Sequence, residues 1–341
     1  MIVSFVAPSQ AVPMGGVTAI YEFANGLARR GHEVHIAHGR FWGRGITSLD
    51  EIAWFDFEPG IHHHLDPGHG VDLPDGDVIF GTEAPRRMGL PVLLVQGLDM
   101  FPKEMEHQAF RTPGLKVCVA SWLIDAGLEL GVPREQLVHV PMGIDHGLFR
   151  VRTPIEDRAR CVGLLHNEHP AKGWRAGLAA LELVHERVPE AETIVFSQQL
   201  PSGPLPPWVE AVEAPSQTRL AEDIYDRCSV FLQSSVWEGF GFTAVEAMAC
   251  GCALVTTDNG GSRDYALPDR TALVSAPKDE AGMADSVERL LTDDALRVRL
   301  AEAGGAHVRF EFDWDRAGAL LEEHLQAYLA EPERYLRPAA T

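Results

Sequence analysis

The sequence predicts a two-domain α/β protein, each half a doubly wound parallel sheet. Three observations carry this. The chain has 341 residues, more than one hydrophobic core usually organises. Short apolar runs alternate with amphipathic stretches almost throughout, the pattern of strands joined by crossover helices. A polar stretch, Arg150–Arg160, interrupts that alternation, which then restarts. The expected bounds are therefore 1–150 for the first domain and 151–312 for the second, with a helical tail at 313–341.

The elements follow in order. Residues 1–7 read as a buried strand rather than a leader, because no basic segment precedes the apolar run. Gly15-Gly16 precedes a helical stripe of Val17, Ile20, Tyr21, Ala24, Leu27 and Ala28. Arg29-Arg30-Gly31 stops it, with cations in the last turn and glycine after. Glu33–Ala37 resumes as a strand. Residues 39–76 read as an irregular insertion, too long for a plain connection. Strands are expected at Asp77–Phe80, Pro91–Gln96, Leu115–Ala120 and Leu137–Val140, with a helix at Ser121–Leu130. The second half offers strands at Cys161–Leu165, Thr193–Phe196, Val230–Leu232, Ala253–Thr256 and Ala272–Val274. Its helices are expected near Trp174–Arg187, Thr218–Asp226 and Thr243–Ala249, with 280–330 wholly helical.

Composition narrows the function. The chain carries 29 Lys and Arg against 49 Asp and Glu, a net charge of −20. Such a field repels nucleic acid and anionic lipid, so neither is an expected partner. No apolar run spans a bilayer, so no integral membrane segment is expected. The five cysteines are scattered in apolar segments and read as buried, reduced thiols of a cytoplasmic protein. Oligomeric state is not encoded in any readable feature.

Two glycine-bearing turns carry the chemistry. Gly15 and Gly16 start a helix, whose unpaired N–H groups and partial positive charge suit a phosphate or sugar. The GxGxxG spacing is missing and no acid ends the second strand, which disfavours a nicotinamide site. The stronger signal is Trp237-Glu238-Gly239-Phe240-Gly241-Phe242-Thr243-Ala244-Val245-Glu246. A strand ends near Gln233, and a helix is expected to start at Thr243 as its N-cap. Glu238 then lies in the loop and Glu246 in the early helix, at the ligand-binding edge of an open α/β sheet. Carboxylates beside phosphate-binding amides suit a ligand that carries both diol and phosphate, a nucleotide-sugar.

Glu238 and Glu246 around Gly-Phe-Gly, followed by Glu-Ala-Met-Ala-Cys-Gly, resemble the EX7E motif of family 4 retaining glycosyltransferases. Ser121-Trp122-Leu123 with Val140-Pro141-Met142-Gly143-Ile144-Asp145, Lys172-Gly173 and Gly260-Gly261 are similar to further motifs of that family, in the same order. Met142 stands where an asparagine is usual. The resemblance implies the GT-B fold, two Rossmann-like domains facing each other across a cleft. It implies retaining transfer of a sugar from a nucleotide-diphosphate-sugar to an acceptor hydroxyl, with no metal or other cofactor. Lys172 would neutralise the diphosphate, helped by Gly16 and by amides around Gly239, Phe240, Gly241, Phe242 and Thr243. Glu246 would hold the ribose hydroxyls, and Glu238 the sugar hydroxyls and the charge at the anomeric carbon. The base would sit between the turn after Phe196 and the segment 214–220. Helices over 312–329 would cross back onto the first domain.

Two departures stand out. The family's arginine shortly after the glycine of the strand before Lys172 is absent, since Leu164-Leu165-His166 follows Gly163, leaving His166 or Arg175 as substitutes. A histidine usual near residue 96 is replaced by Gln96, with Asp99 after it, a pattern similar to rhamnosyltransferase-like members that points to a deoxysugar donor. Gln96, Asp99 and His166 are thus candidate contacts to donor sugar or acceptor. Rival readings are a sugar phosphorylase, a nucleotide-sugar epimerase and a non-catalytic partner that kept the fold. His62-His63-His64 with His69 read as a solvated or acceptor-facing loop ahead of a metal site. Phe41, Trp42, Trp54, Phe55 and Phe57 either stack on a sugar or pack their loop. Trp174 and Trp237 read first as core.

Overall fold

The computed structural model describes residues 1–39, 45–66, 71–81, 88–98 and 103–339. They form two compact units: Met1–Gly143 with Trp314–Thr341, and Ile144–Asp313.

The first unit is built on β1 (Ile2–Ala7), β2 (Glu33–His38), β3 (His62–Leu65), β4 (Val78–Phe80), β5 (Leu90–Val95), β6 (Leu115–Cys118) and β7 (Leu137–His139). They pair in the order β3-β2-β1-β4-β5-β6-β7, and every pairing is parallel. Helix α1 (Gly15–Arg29) follows β1, and α2 (Lys103–Arg111) and α3 (Trp122–Glu129) follow later strands. Strands with both faces covered read as continuous apolar runs, which is why IVSFVA and LPVLLV were legible. Phe5 and Phe80 stack at 4.3 Å between centroids on adjacent strands. A fully buried Phe contributes about 1.5–3 kcal/mol.

The second unit contains β8 (Cys161–Leu165), β9 (Glu192–Ser197), β10 (Val209–Glu213), β11 (Val230–Gln233), β12 (Ala253–Thr257) and β13 (Ala272–Ser275). Their order is β10-β9-β8-β11-β12-β13, again wholly parallel. Helices α4 (Trp174–Arg187), α6 (Phe242–Ala249), α7 (Glu280–Thr292) and α8 (Asp294–Glu311) cover it. The helix expected at 218–226 is instead a short α5 (Gln217–Arg219) running into a π turn, Leu220–Tyr225. The expectation of two doubly wound Rossmann-like halves is borne out.

Two strands escaped the sequence reading, β3 inside the supposed irregular insertion and β10 after the turn-rich stretch. Both are edge strands. Their sequences, HHHL and VEAVE, have no buried apolar run. Edge strands cover one neighbour only and are kept polar.

The change of unit falls between Gly143 and Ile144, before the polar stretch 150–160 where composition places a linker. That stretch is stitched into the second unit. The buried Arg158 guanidinium donates to the carbonyls of Thr153, Tyr225, Cys228 and Cys250 and to the Asp226 carboxylate. Asp226 also accepts from the Arg152 and Thr153 amides and the Thr153 hydroxyl. These bonds hold its carboxyl below the usual range, against the desolvation that opposes them. Where the unit closes, the Ile144 amide donates to the Phe312 carbonyl at 3.2 Å.

Helix α9 (Trp314–Ala330) belongs to the first unit. It crosses α1 where Gly26 meets Gly318. A Cβ on Gly318 would lie 3.3 Å from the Gly26 Cα, so the axes approach at bare backbone. Phe23 and Trp314 meet edge to face at 5.5 Å beside the crossing. All five cysteines are buried and free. No helix among the described residues is long and apolar enough to cross a membrane.

The crossing predicts an asymmetric tolerance. Gly318→Ala gains helix propensity but sets its methyl 3.3 Å from the Gly26 Cα, so α1 must give slightly and stability should move by less than about 1 kcal/mol. Gly318→Leu overpacks the crossing and should cost about 1–3 kcal/mol in chemical denaturation. Equal effects from both would show that the crossing is not tight.

Candidate functional site

An open parallel sheet binds ligands where its strand order reverses, outside the carboxyl ends of the strands. In the second unit that point lies between β8 and β11. The loop after β8 carries Lys172, and the loop after β11 carries Glu238.

The two loops interlock. The amides of Val236 and Trp237 donate to the Ala171 carbonyl at 2.7 and 3.2 Å, and the Ser234 hydroxyl donates to the Lys172 carbonyl at 3.3 Å. Gly173 caps α4 with a φ of +62°, and a Cβ there would lie 2.0 Å from the Ser234 carbonyl oxygen. Only glycine fits that position, for conformation and for space alike.

The result is a close ion pair. Lys172 Nζ lies 2.8 Å from both Glu238 carboxylate oxygens. The Ser235 hydroxyl donates to Glu238 Oε1 at 2.8 Å. The Glu238 backbone is fixed from the far side, its amide donating to Asn259 and its carbonyl accepting from Gly261. The Glu238 side chain is 9% exposed and that of Lys172 29%, so the lysine is the more accessible member of the pair.

Helix α6 starts at Phe242, not at Thr243. Gly241 is its N-cap, with a φ of +110° that suits glycine over threonine. A Cβ on Gly241 would lie 2.4 Å from the Tyr265 hydroxyl and 2.9 Å from Gln233 Nε2. Thr243 stands in the first turn, whose amides lack acceptors within the helix. Thr243, Lys172, Gln233, Ser234 and Ser235 line one small cavity. Gln233 enters the sequence reading only as the end of a strand. Its Oε1 accepts from the Tyr265 and Thr256 hydroxyls, while its buried Nε2 has no partner among the described residues. Its place as the last residue of a strand at the reversal was the available signal.

Glu246 lies one turn further along α6. The Tyr225 hydroxyl donates to its Oε2 at 3.2 Å. Desolvation pushes its carboxyl up to about 7, and the Tyr225 bond only partly opposes this. A carboxyl so perturbed at a ligand edge marks a functional candidate.

His166, by contrast, is buried with both ring nitrogens engaged. Nδ1 meets the Ser197 hydroxyl and the Gln199 carbonyl at 3.1 and 2.9 Å, and Nε2 meets Glu168 at 3.1 Å. Its ring packs edge to face on the buried Trp174 at 4.7 Å. It ties the end of β8 to the end of β9. Arg175 lines another cavity, of about 490 Å³, together with Lys278. The 214–220 segment begins with Ala214, whose φ is +43° and whose amide donates to Ser197 at 2.7 Å.

In the first unit the order reverses between β1 and β4. Gly15 and Gly16 are exposed at the start of α1. Gln96 Nε2 donates to the Gly16 carbonyl at 3.1 Å, so the structure brings these two candidates together. Asp99 lies outside the described residues, as do Phe41, Trp42 and His69. Trp54, Phe55 and Phe57 surround the buried Tyr21 at 5.9, 5.1 and 4.8 Å, which is packing of the loop. The His62–His64 run is strand β3 rather than a loop, because it pairs in register with β2.

Comparison with known proteins places this geometry. Residues 215–307 match the family model described as Glycosyl transferases group 1. D-inositol 3-phosphate glycosyltransferase of Xylanimonas cellulosilytica is 36% identical over 124 residues, 36% of this chain and 30% of that protein. Glycogen synthase of Mycobacterium tuberculosis is 35% identical over 104 residues, 30% of this chain and 24% of that one. The chain thus spans about a quarter to a third of these relatives' lengths. Sucrose-phosphate synthase from Thermosynechococcus elongatus aligns with a TM-score of 0.75 at 15% identity, covering 96% of this chain and 99% of that one. Anabaena HepE in complex with UDP-glucose aligns with a TM-score of 0.73 at 15% identity, covering 96% and 100%. These likenesses establish the GT-B fold, and the matched segment holds Glu238, Gly241 and Glu246.

Two measurements test the site. Gly173→Ala should cost more than about 2 kcal/mol, because the added methyl meets backbone in a left-handed position; a stability within 0.5 kcal/mol of the parent would mean that the loops do not interlock. Glu246→Gln should stabilise the ligand-free protein at pH 8, on the order of 2 kcal/mol, with the gain vanishing by pH 4.5. The folded state holds this proton more tightly than the unfolded chain. The stability it contributes is therefore full below its ordinary value of 4.5 and is lost as pH rises through about 7. A gain that did not change with pH would refute the desolvation of Glu246.

Proposed function

We propose that this protein is a retaining glycosyltransferase that moves a sugar from a nucleotide-diphosphate-sugar to an acceptor hydroxyl. The observation that carries the reading is the Lys172–Glu238 pair, held at the strand reversal beside the glycine-capped start of α6. The first unit serves the acceptor and the second the donor.

A leaving diphosphate needs positive charge and donors already in position. Lys172 supplies the charge, and its pairing with Glu238 aims it before the donor arrives. The first-turn amides of α6, at Phe242 and Thr243, and the unpartnered Gln233 amide add donors. Within the first unit Gly16 offers backbone approach to a sugar or acceptor beside Gln96. Glu238 accepts bonds from sugar hydroxyls and steadies positive charge at the anomeric carbon, where the transition state resembles an oxocarbenium ion. The acceptor oxygen bonds to the anomeric carbon as the bond to the diphosphate breaks, and its proton passes to a leaving phosphate oxygen on the same face. No metal is assigned to this step, so added Mg²⁺ or Mn²⁺ should not raise turnover. The enzyme acts in the cytoplasm. Uridine diphosphate is the first nucleotide to test, because a structural neighbour is described in complex with UDP-glucose.

Lys172→Ala should lower turnover at least about 100-fold with the fold intact by circular dichroism; near-normal turnover would remove the lysine from the mechanism. Glu246 should accept ribose hydroxyl bonds only when ionised. Nucleotide affinity in calorimetry should then fall up to about tenfold per unit as pH drops below 7, and Glu246→Gln should abolish that slope. Incubation of the donor with and without phosphate separates transfer from phosphorolysis and epimerisation.

A further inference from the structure

Strand β3 places three consecutive histidines at the edge of the first sheet, and β2 answers them with two more. The pairing runs His35 opposite His62, Ile36 opposite His63 and Ala37 opposite His64. Alternation then sorts the side chains by face. His63 joins His38, ring nitrogens 2.9 Å apart. His38 Nδ1 also lies 2.7 Å from the Ser9 hydroxyl, itself bonded by Tyr21. That group holds no carboxylate and its members are spent on one another. His62 and His64 join His35 on the opposite face, with Glu33 two residues along the same strand.

We propose that Glu33, His35 and His62 bind one divalent first-row transition cation. One donor atom from each lies within 4.8 Å of the others. The His35 and His62 rings stack at 4.6 Å, nearly parallel. His35 Nε2 is 3.0 Å from Glu33 Oε1, and its Nδ1 is 2.9 Å from His64 Nε2. The second contact holds the His35 ring from behind, as a metal-bound imidazole is commonly held through its other nitrogen. With Nδ1–H donated to His64, the Nε2 lone pair faces the Glu33 carboxylate, and a cation between them resolves that juxtaposition. His35 is buried and fixed, whereas His62 and Glu33 are exposed and turn inward at small cost to the roughly 2.0–2.2 Å bonds required. Two imidazoles and one carboxylate suit zinc, cobalt, nickel or copper and not magnesium or calcium. All three ligands sit on paired strands, whose register sets their spacing more rigidly than a loop does. Bound metal fastens a four-residue edge strand to its neighbour, and so stabilises the folded state by mass action. The inference is independent of glycosyl transfer.

The test uses full-length protein without a histidine tag, stripped with chelator. Titration with Co²⁺, followed by its visible absorption, and with Zn²⁺ by calorimetry should show one equivalent bound and a raised thermal midpoint, and Mg²⁺ should do neither. His62→Ala and Glu33→Gln change exposed side chains and should fold normally, each weakening Co²⁺ at least tenfold and removing the Zn²⁺-dependent midpoint shift. Lys172→Ala should bind as the parent does, which keeps this outcome separate from that of the transfer reaction. Absence of stoichiometric binding in the parent, or equal binding in the His62 and Glu33 variants, overturns the proposal.

Discussion

The second unit depends on the contact between Gly173 and the Ser234 carbonyl. Two strands that reverse the sheet order send their loops towards one another, and backbone meets backbone at van der Waals limit. That closeness lets Ala171 accept two amides from the facing loop and brings Lys172 onto Glu238. A side chain at 173 would part the loops, separate the charges and uncouple the start of α6 from the end of β8.

Around this junction the protein spends stability on polar arrangement. A carboxyl raised to about 7 by desolvation at Glu246 is a cost to the folded state. So is the buried Gln233 Nε2, which has no partner among the described residues. An unsatisfied buried donor costs roughly 1–3 kcal/mol. Both groups stand in the short stretch that begins at the end of β11 and enters α6. The surrounding strands, by contrast, are apolar and closely packed, with Val162, Leu164, Val230, Leu232 and Val255 all nearly inaccessible. Cost concentrated at one edge of an otherwise conventional core is the usual mark of a site organised for a ligand.

Surface charge and local charge act in different ways here. The net charge of −20 sets a repulsive field for polyanions at long range. Within the site the balance is local, one lysine against one carboxylate with amide dipoles beside them. Much of the remaining charge is consumed in pairs such as Arg187 with Asp285 and Glu288, or Arg227 with Glu192 and Glu210. Exposed pairs of this kind contribute little to stability.

Sequence alone determined the architecture, because a strand covered on both faces must be an apolar run, and eleven of the thirteen strands among the described residues were legible in it. It also pointed to Glu238 and Glu246, as acids flanking glycines after a strand, and to Lys172 through the resemblance to family 4 glycosyltransferases. Tertiary structure decided the rest. Edge strands β3 and β10 carry no burial signal, so only pairing revealed them and turned a histidine run into part of a sheet face. His166, expected as a ligand contact, is held by the Ser197 hydroxyl, the Gln199 carbonyl and the Glu168 carboxylate. Gln233 became a donor only when Gly241 folded over it. Local pattern records which residues must avoid water, whereas the partner of a polar group is set by strands far away in the chain, and no local spacing encodes that.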